Sequence, residues 1–204
     1  MENYYRSFII NIMQKKIALK HLGLLILFLM SFTTVIQFPK EELLGKGTPE
    51  LFGKNHQLRK EAHDAYIKMS TAALKDGLKM KVVSSYRSYA HQNRIWERKY
   101  KRFRARGMEA LAAIKKIIEY SIIPGTSRHH WGTDLDIVLD IPNPPDDVLL
   151  AEHFHQNGPF CKLKEWLDQH AASFGFELVY TDNANRKGFK YEPWHFTYLS
   201  LIHI

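Results

Sequence analysis

The sequence holds a single cysteine, Cys161, in 204 residues. One thiol cannot close an internal disulfide, and it excludes a zinc site built on cysteines. It reads as an ordinary, partly buried free thiol. Acidic residues are also in short supply: 21 Asp and Glu stand against 29 Lys and Arg, giving a formal net charge of +8 and a sequence pI near 9.4. That balance points to polyanionic surroundings, whether nucleic acid, anionic lipid or an acidic cell envelope, and says nothing about fold. There is no internal repeat and no low-complexity segment. With hydrophobic residues at 45% and charged residues at 25%, the composition excludes global disorder and suits one globular domain with a proper core.

Long apolar runs are confined to one place. "QKKIALKH" is basic, and Leu22 to Phe38 after it is almost wholly apolar. The pair reads as the n-region and h-region of an export signal. The run is at the short edge for a spanning helix, which needs roughly 18–20 residues. No A-x-A cleavage pattern follows, so a cleaved signal peptide and a retained N-terminal membrane anchor both stay open. No cysteine follows either, which excludes a lipoprotein anchor. Met13 sits directly before the basic stretch and is the expected start. In either case the folded part is expected to be exported, to a periplasm or cell envelope, and the charge then points to envelope polyanions more than to nucleic acid. The expected organisation is 1–38 as signal or anchor, 39–55 as a linker punctuated by Gly45, Gly47, Pro49 and Gly53, and 56–204 as the domain.

Within the domain, Leu58, Ala62, Ala65, Tyr66, Met69, Ala72 and Ala73 recur at helical spacing, and Gly77 is placed to stop that helix. "KMKVVSS" is a strand candidate. "YAHQNRIWERKYKRFRARG" is helical and very basic, with Arg94, Arg98, Lys99, Lys101, Arg102, Arg104 and Arg106 against Glu97 alone. It is either a solvated face or a surface that contacts a polyanion. "MEALAAIKKIIEYS" is a second helix, "LDIVLD" a strand left by a Pro-rich loop, and "KLKEWLDQHAASFGF" a helix stopping near Gly175. "FELVYT" and "HFTYLSLI" are strands. Helices early and strands late predict an α+β fold, with helices packed on a small, mainly antiparallel sheet.

Eleven histidines need sorting. Without cysteine, zinc takes imidazole and carboxylate, and a catalytic site keeps three protein ligands plus a water. Two clusters can supply them: "SRHHWGTDLD" (residues 127–136) and "YEPWHF" (residues 191–196). The second sets Glu192 three residues before His195, where a carboxylate beside a metal-bound imidazole can take a proton from water. Strand periodicity does not separate Asp134 from Asp136, since residues two apart share a face.

Taken in order, "SSYRSYAHQ", "SRHHWGTDLD" and "EPWHF" resemble the motifs of the D-alanyl-D-alanine carboxypeptidase family of metallopeptidases. That group includes vancomycin-resistance carboxypeptidases and dipeptidases and has distant relatives in lysostaphin and the hedgehog signalling domain. The resemblance spans roughly Leu58 to Tyr198. It implies His129, Asp136 and His195 as zinc ligands, Glu192 as catalytic acid/base and Arg87 as the cation that stabilises the oxyanion. It places Ser127 near the substrate's terminal carboxylate, Gln92 in contact with substrate and Trp194 either at the pocket wall or in the core. Asp134 stands where many relatives carry a small residue, and it is open as a residue that orients a ligand. His130 is expected in packing or in support of the site, and His91 on an exposed helix position or at the pocket rim. His153 and His155 in "EHFH" mimic a strand-borne metal pair but follow a Pro-rich loop and are expected at the surface.

The implied protein is a zinc-dependent peptidase acting on peptidoglycan stem peptides, most directly removing the terminal D-alanine from a D-Ala-D-Ala end. An endopeptidase cutting within stems or cross-links is the alternative in the same family. A non-catalytic zinc-containing envelope-binding protein is the alternative of another class. Electrostatic contact with anionic envelope polymers or lipid, no nucleic acid, and a monomer complete the expectation.

Overall fold

The computed structural model describes Lys15, Lys16, Lys20 and residues 38–199. The chain divides into two units, Met1–Gln37 and Phe38–Ile204. Of the first, the three described lysines are helical; the apolar run expected to be a signal or anchor lies, up to Gln37, outside the described residues. No helix among the described residues is long and apolar enough to cross a membrane.

In the second unit, the stretch expected as a linker is partly built into the fold. A one-turn helix α1 (Lys40–Leu43) is tied to the domain by Glu42, whose carboxylate accepts from Arg59 at 2.7 Å. Phe52 and Leu58 then pair as an isolated antiparallel bridge. Helix α2 (Lys60–Lys75) buries Ala62, Tyr66, Met69 and Ala73. That spacing of three and four residues is the stripe that drives an amphipathic helix onto a core. Helix α3 (Tyr89–Ala105) starts at Ser88, whose side chain accepts from the His91 amide, a capping bond that satisfies one of the unpaired first-turn donors. Helix α4 (Ala110–Ile118) folds back beside it and buries Ala113 and Ile117. The expected helix after the Pro-rich loop is α5 (Cys161–His170), continued by a 3-10 turn to Phe174 and ended by Gly175 at φ +83°.

Among the described residues, four strands form one antiparallel sheet: β1 (Met80–Ser84), β2 (Asp134–Leu139), β3 (Phe176–Leu178) and β4 (His195–Tyr198), in the spatial order β1-β2-β4-β3. The α+β architecture is the one the sequence predicts. Strand β3 is shorter than the expected "FELVYT", ending at Leu178. Strand alternation divides the sheet's two faces. Leu135, Ile137, Phe176 and Phe196 join α2 and the Leu163, Trp166 and Leu167 face of α5 in the main core. The opposite face carries Asp134, Asp136 and Val138 of β2 with His195 and Thr197 of β4, all of them buried. The apolar face anchors the strands, and the polar face holds the chemistry.

Candidate metal centre and its cavity

Asp136 and His195 are direct cross-strand partners in the β2–β4 register, so the backbone ladder itself brings them together. His129 arrives from a 3-10 turn (Arg128–Trp131) that ends at Gly132 in the left-handed region, φ +72°. Arg59 straps this turn, donating through its amide to Gly132 O at 2.8 Å and through Nε to Trp131 O at 2.8 Å. Beside it, the β1–β2 register shifts between Val82 and Ser84. Just beyond that bulge, Ser85 O accepts from His129 Nδ1 at 2.7 Å.

The ligand atoms offered by His129, Asp136 and His195 lie within 4.8 Å of one another, and all three residues are buried. Each imidazole has one nitrogen committed elsewhere. With Nδ1 of His129 given to Ser85, its Nε2 faces Asp136 Oδ2 at 3.4 Å. With Nε2 of His195 bonded to Asp134 Oδ2 at 2.9 Å, its Nδ1 faces Asp136 Oδ1 at 3.0 Å. His129 Nε2 and Asp136 Oδ1 are buried without a hydrogen-bond partner. Buried acceptors facing one another repel unless a proton or a cation lies between them. The donor set, two nitrogens and a carboxylate, fits zinc with a further position open for water.

The protonation states fit the same reading. Burial, helped by the Arg87 guanidinium, lowers His129 to about 4, so it is neutral as a ligand must be. For Asp136, burial alone would favour the acid, but His129 and His195 outweigh it and hold the carboxyl well below the usual range. Burial likewise disfavours a charged His195, yet its bond to Asp134 and the Asp136 carboxylate beside it push it up to about 10. A metal held by His195 Nδ1 would have to displace its second proton.

Asp134 is fully committed. Besides His195 it accepts from Arg128 Nε at 2.9 Å, Thr197 Oγ1 at 2.6 Å and Thr133 Oγ1 at 3.1 Å. It therefore fixes the ring orientation of His195, which is how a carboxylate behind a metal-bound imidazole tunes a site. His130 braces the other side. Its Nδ1 bonds Arg87 O and its Nε2 accepts from the Gly125 amide at 3.0 Å.

Glu192 sits in the turn before β4 with Oε2 3.5 Å from His195 Nδ1. Burial pushes it up to about 7, with Asp136 adding to the rise and His195 and Arg87 opposing it. Arg87, half-buried, donates from Nη1 to Gln92 Oε1 at 2.9 Å and holds Nη2 3.9 Å from Asp136, while its buried Nε has no hydrogen-bond partner. Gln92 is pinned in turn by donating to Ile122 O at 2.7 Å. Arg87, Gln92, Ser127, His129, Glu192 and His195 all line one cavity. Trp194 does not; its ring packs with Val138, Phe154 and Phe160 in a second apolar cluster.

The cavity has other walls that sequence reasoning missed: Tyr120, Ser121 and Ile122 on one side, Tyr180 and Phe189 on the other. Tyr180 stacks edge-on to His195 at 4.9 Å, and burial raises its phenol. Nothing in "FELVYT" marks it, because only the three-dimensional return of the chain sets it against β4. His91 is exposed on α3. His153 and His155 join no metal-ligand group among the described residues and instead contact the rings of Phe160 and Tyr191.

Comparison with known proteins gives a concordant picture. Residues 55–201 match the family model described as VanY, D-alanyl-D-alanine carboxypeptidase. A bifunctional D-Ala-D-Ala dipeptidase and carboxypeptidase of Enterococcus gallinarum, VanXYC, is 28% identical over 76% of this chain and 85% of its own length. A putative carboxypeptidase of Bacillus subtilis, YodJ, is 31% identical over 70% of this chain and 46% of its own. Among solved structures, VanYB in complex with D-alanine-D-alanine superposes with a TM-score of 0.61 at 25% identity, covering 78% of this chain and 81% of that one. An LD-carboxypeptidase, LdcB, superposes at 0.53 with 29% identity, covering 74% and 63%.

Proposed function

The chain belongs to the VanY D-alanyl-D-alanine carboxypeptidase family, and from that premise we propose that it is a zinc peptidase removing the terminal D-alanine from peptidoglycan stem peptides. The observation that carries the reading is the pairing of two unsatisfied buried ligand atoms, His129 Nε2 and Asp136 Oδ1, with a buried carboxylate, Glu192, 3.5 Å from the third ligand. A site that held zinc only for stability would need neither Glu192 nor the free Nε of Arg87.

When bound, zinc lowers the pKa of a coordinated water to about 7 and polarises a carbonyl. His129, Asp136 and His195 are the residues that would hold it. Glu192 takes the proton of the attacking water and hands it to the departing amine of D-alanine, which its position near neutrality suits. Arg87 presents its guanidinium to the oxygen on which negative charge grows, and burial strengthens that interaction. Ser127 and Gln92 line the same cavity and serve to position the peptide end. Asp134 keeps His195 from turning.

The cavity's two walls are tied together, since Lys190 Nζ bonds Glu119 at 2.8 Å and the Lys190 amide donates to Glu119 O at 3.3 Å. A site bridged in this way supports trimming of a chain end over cleavage within a chain. The likeness to LdcB favours one second reading, cleavage of the L,D bond that ends a tetrapeptide. The enzyme acts outside the cytoplasm, as its family implies; the finer placement, a periplasm or an envelope to which the apolar segment tethers it, is part of the proposal.

Mass spectrometry of penta- and tetrapeptide stems, incubated with zinc-loaded protein and with a chelator control, tests this. Loss of one alanine from the pentapeptide alone, blocked by chelation, is the expected result. Loss from the tetrapeptide would move the assignment to the L,D bond, and release of internal fragments would make the protein an endopeptidase. Intact peptides with zinc bound would leave an envelope-binding protein.

A further inference from the structure

The positive charge of this molecule is not spread over it. Between Arg94 and Glu119, the α3–α4 hairpin carries nine Lys and Arg against three Glu, a net +6 of the chain's +8. The segment before Phe38 accounts for four basic residues and one acid, so the rest of the folded unit, with sixteen basic and seventeen acidic residues, is nearly neutral. The hairpin has an inner and an outer face. Inward, Gln92, Trp96 and Lys99 hold the Ser121–Ile122 wall of the cavity. Outward on α3 stand Arg94, Arg98 and Lys101, all exposed. Like charges at i, i+4 destabilise a helix, and Arg94–Arg98–Arg102 repeats that arrangement twice. Glu97, the acid among them, accepts from Asn93 at 2.8 Å.

On α4 the face opposite the buried Ala113 and Ile117 presents Leu111, 64% exposed, and Ile118, 37% exposed, with Lys115 between them at helical spacing. Tyr120 and Ile123, 47% and 51% exposed, continue the apolar surface toward the cavity mouth. Exposed aliphatic side chains interleaved with cations are the composition of a helix that lies in a bilayer interface. A soluble phosphate polymer would use the arginines but gain nothing from Leu111 and Ile118.

We infer that the outer faces of α3 and α4 form a docking surface for an anionic lipid bilayer. The cations meet the headgroups, and Leu111 and Ile118 enter the boundary with the acyl chains. The hairpin's inner residues hold the cavity wall, so docking sets the catalytic cavity at the membrane surface, in reach of peptides held there. The inference is independent of which bond the enzyme cuts.

The test is hydrogen exchange of the full chain mixed with vesicles of phosphatidylcholine, alone or with about one-third phosphatidylglycerol. Peptides from 94–118 gain protection only with the anionic vesicles and lose it in about 0.5 M salt, where the screening length falls to a few ångströms. The variant Arg94→Gln/Arg98→Gln/Lys101→Gln weakens docking of this face on the order of a hundredfold, with unchanged melting and unchanged hydrolysis of a soluble peptide. Leu111→Ser/Ile118→Ser also weakens it and leaves the salt dependence intact. Absence of protection on anionic vesicles overturns the inference. Equal protection by soluble polyphosphate, indifferent to Leu111→Ser/Ile118→Ser, overturns the bilayer as the partner and assigns the face to an anionic polymer.

Discussion

At the scale of single residues, the site depends on which proton sits where. Glu192 must be ionised to accept a proton, and in the metal-free protein its midpoint is about 7. Zinc beside it draws that midpoint down, so kcat/KM should fall about tenfold per pH unit below a midpoint at or under neutrality and be flat just above it. A rate level down to pH ~4 would remove Glu192 as the base. Glu192→Gln keeps size and fold and should bind zinc while losing on the order of 10²–10⁴ in kcat, read by steady-state kinetics beside a metal assay. Zinc affinity has its own pH dependence. His129, at about 4, and Asp136, lower still, have already lost their protons near neutrality, whereas His195 keeps one up to about 10. Zinc must displace that proton, so its affinity should climb about tenfold per pH unit from 6 to 9, measured by competition with a chromophoric chelator.

At the scale of elements, the turn between two ligands is the sensitive piece. Gly132 is held at φ +72°, and a Cβ there would lie 3.1 Å from Leu51 Cδ2 and 3.3 Å from Arg59 Cγ. Gly132→Ala should cost about 1–2 kcal/mol of stability and loosen His129, seen as a lower melting temperature with weaker zinc binding. The elements also show what the sequence could disclose. Amphipathic α2 was legible because its buried residues repeat at the helical period, and His129 and His195 because ordered motifs carry them. Asp134 and Asp136 were not separable by strand alternation. What separates them is the pairing of Asp136 with His195 and the four donors gathered around Asp134. Tyr180 and Phe189 were hidden because they meet the site only through the loop's return over it. Trp194 could not be assigned to wall or core from its neighbours in sequence, since its ring packs with Phe154 and Phe160, which come from a distant stretch of chain.

At the scale of the whole molecule, the metal should behave as a part of the fold. Its ligands join the 3-10 turn, β2 and β4, so a chelator should lower the melting temperature. At a thousandfold excess of free zinc over its Kd, the stabilisation is about 4 kcal/mol at 25 °C, read by calorimetry with and without chelator. A melting curve indifferent to chelation would mean that the three ligands do not hold the ion together.

The strand order β1-β2-β4-β3 also governs when activity can begin. The last of the described strands is not an edge but an interior one, slotted between β2 and β3, and it brings His195 with it, with Glu192, the proposed proton acceptor, just ahead. A ribosome that has delivered everything up to Phe189 has made a chain with a nearly complete apolar core and no peptidase. If the chain leaves the cytoplasm unfolded, its hydrolytic power is born on the far side of the membrane, after β4 has threaded home.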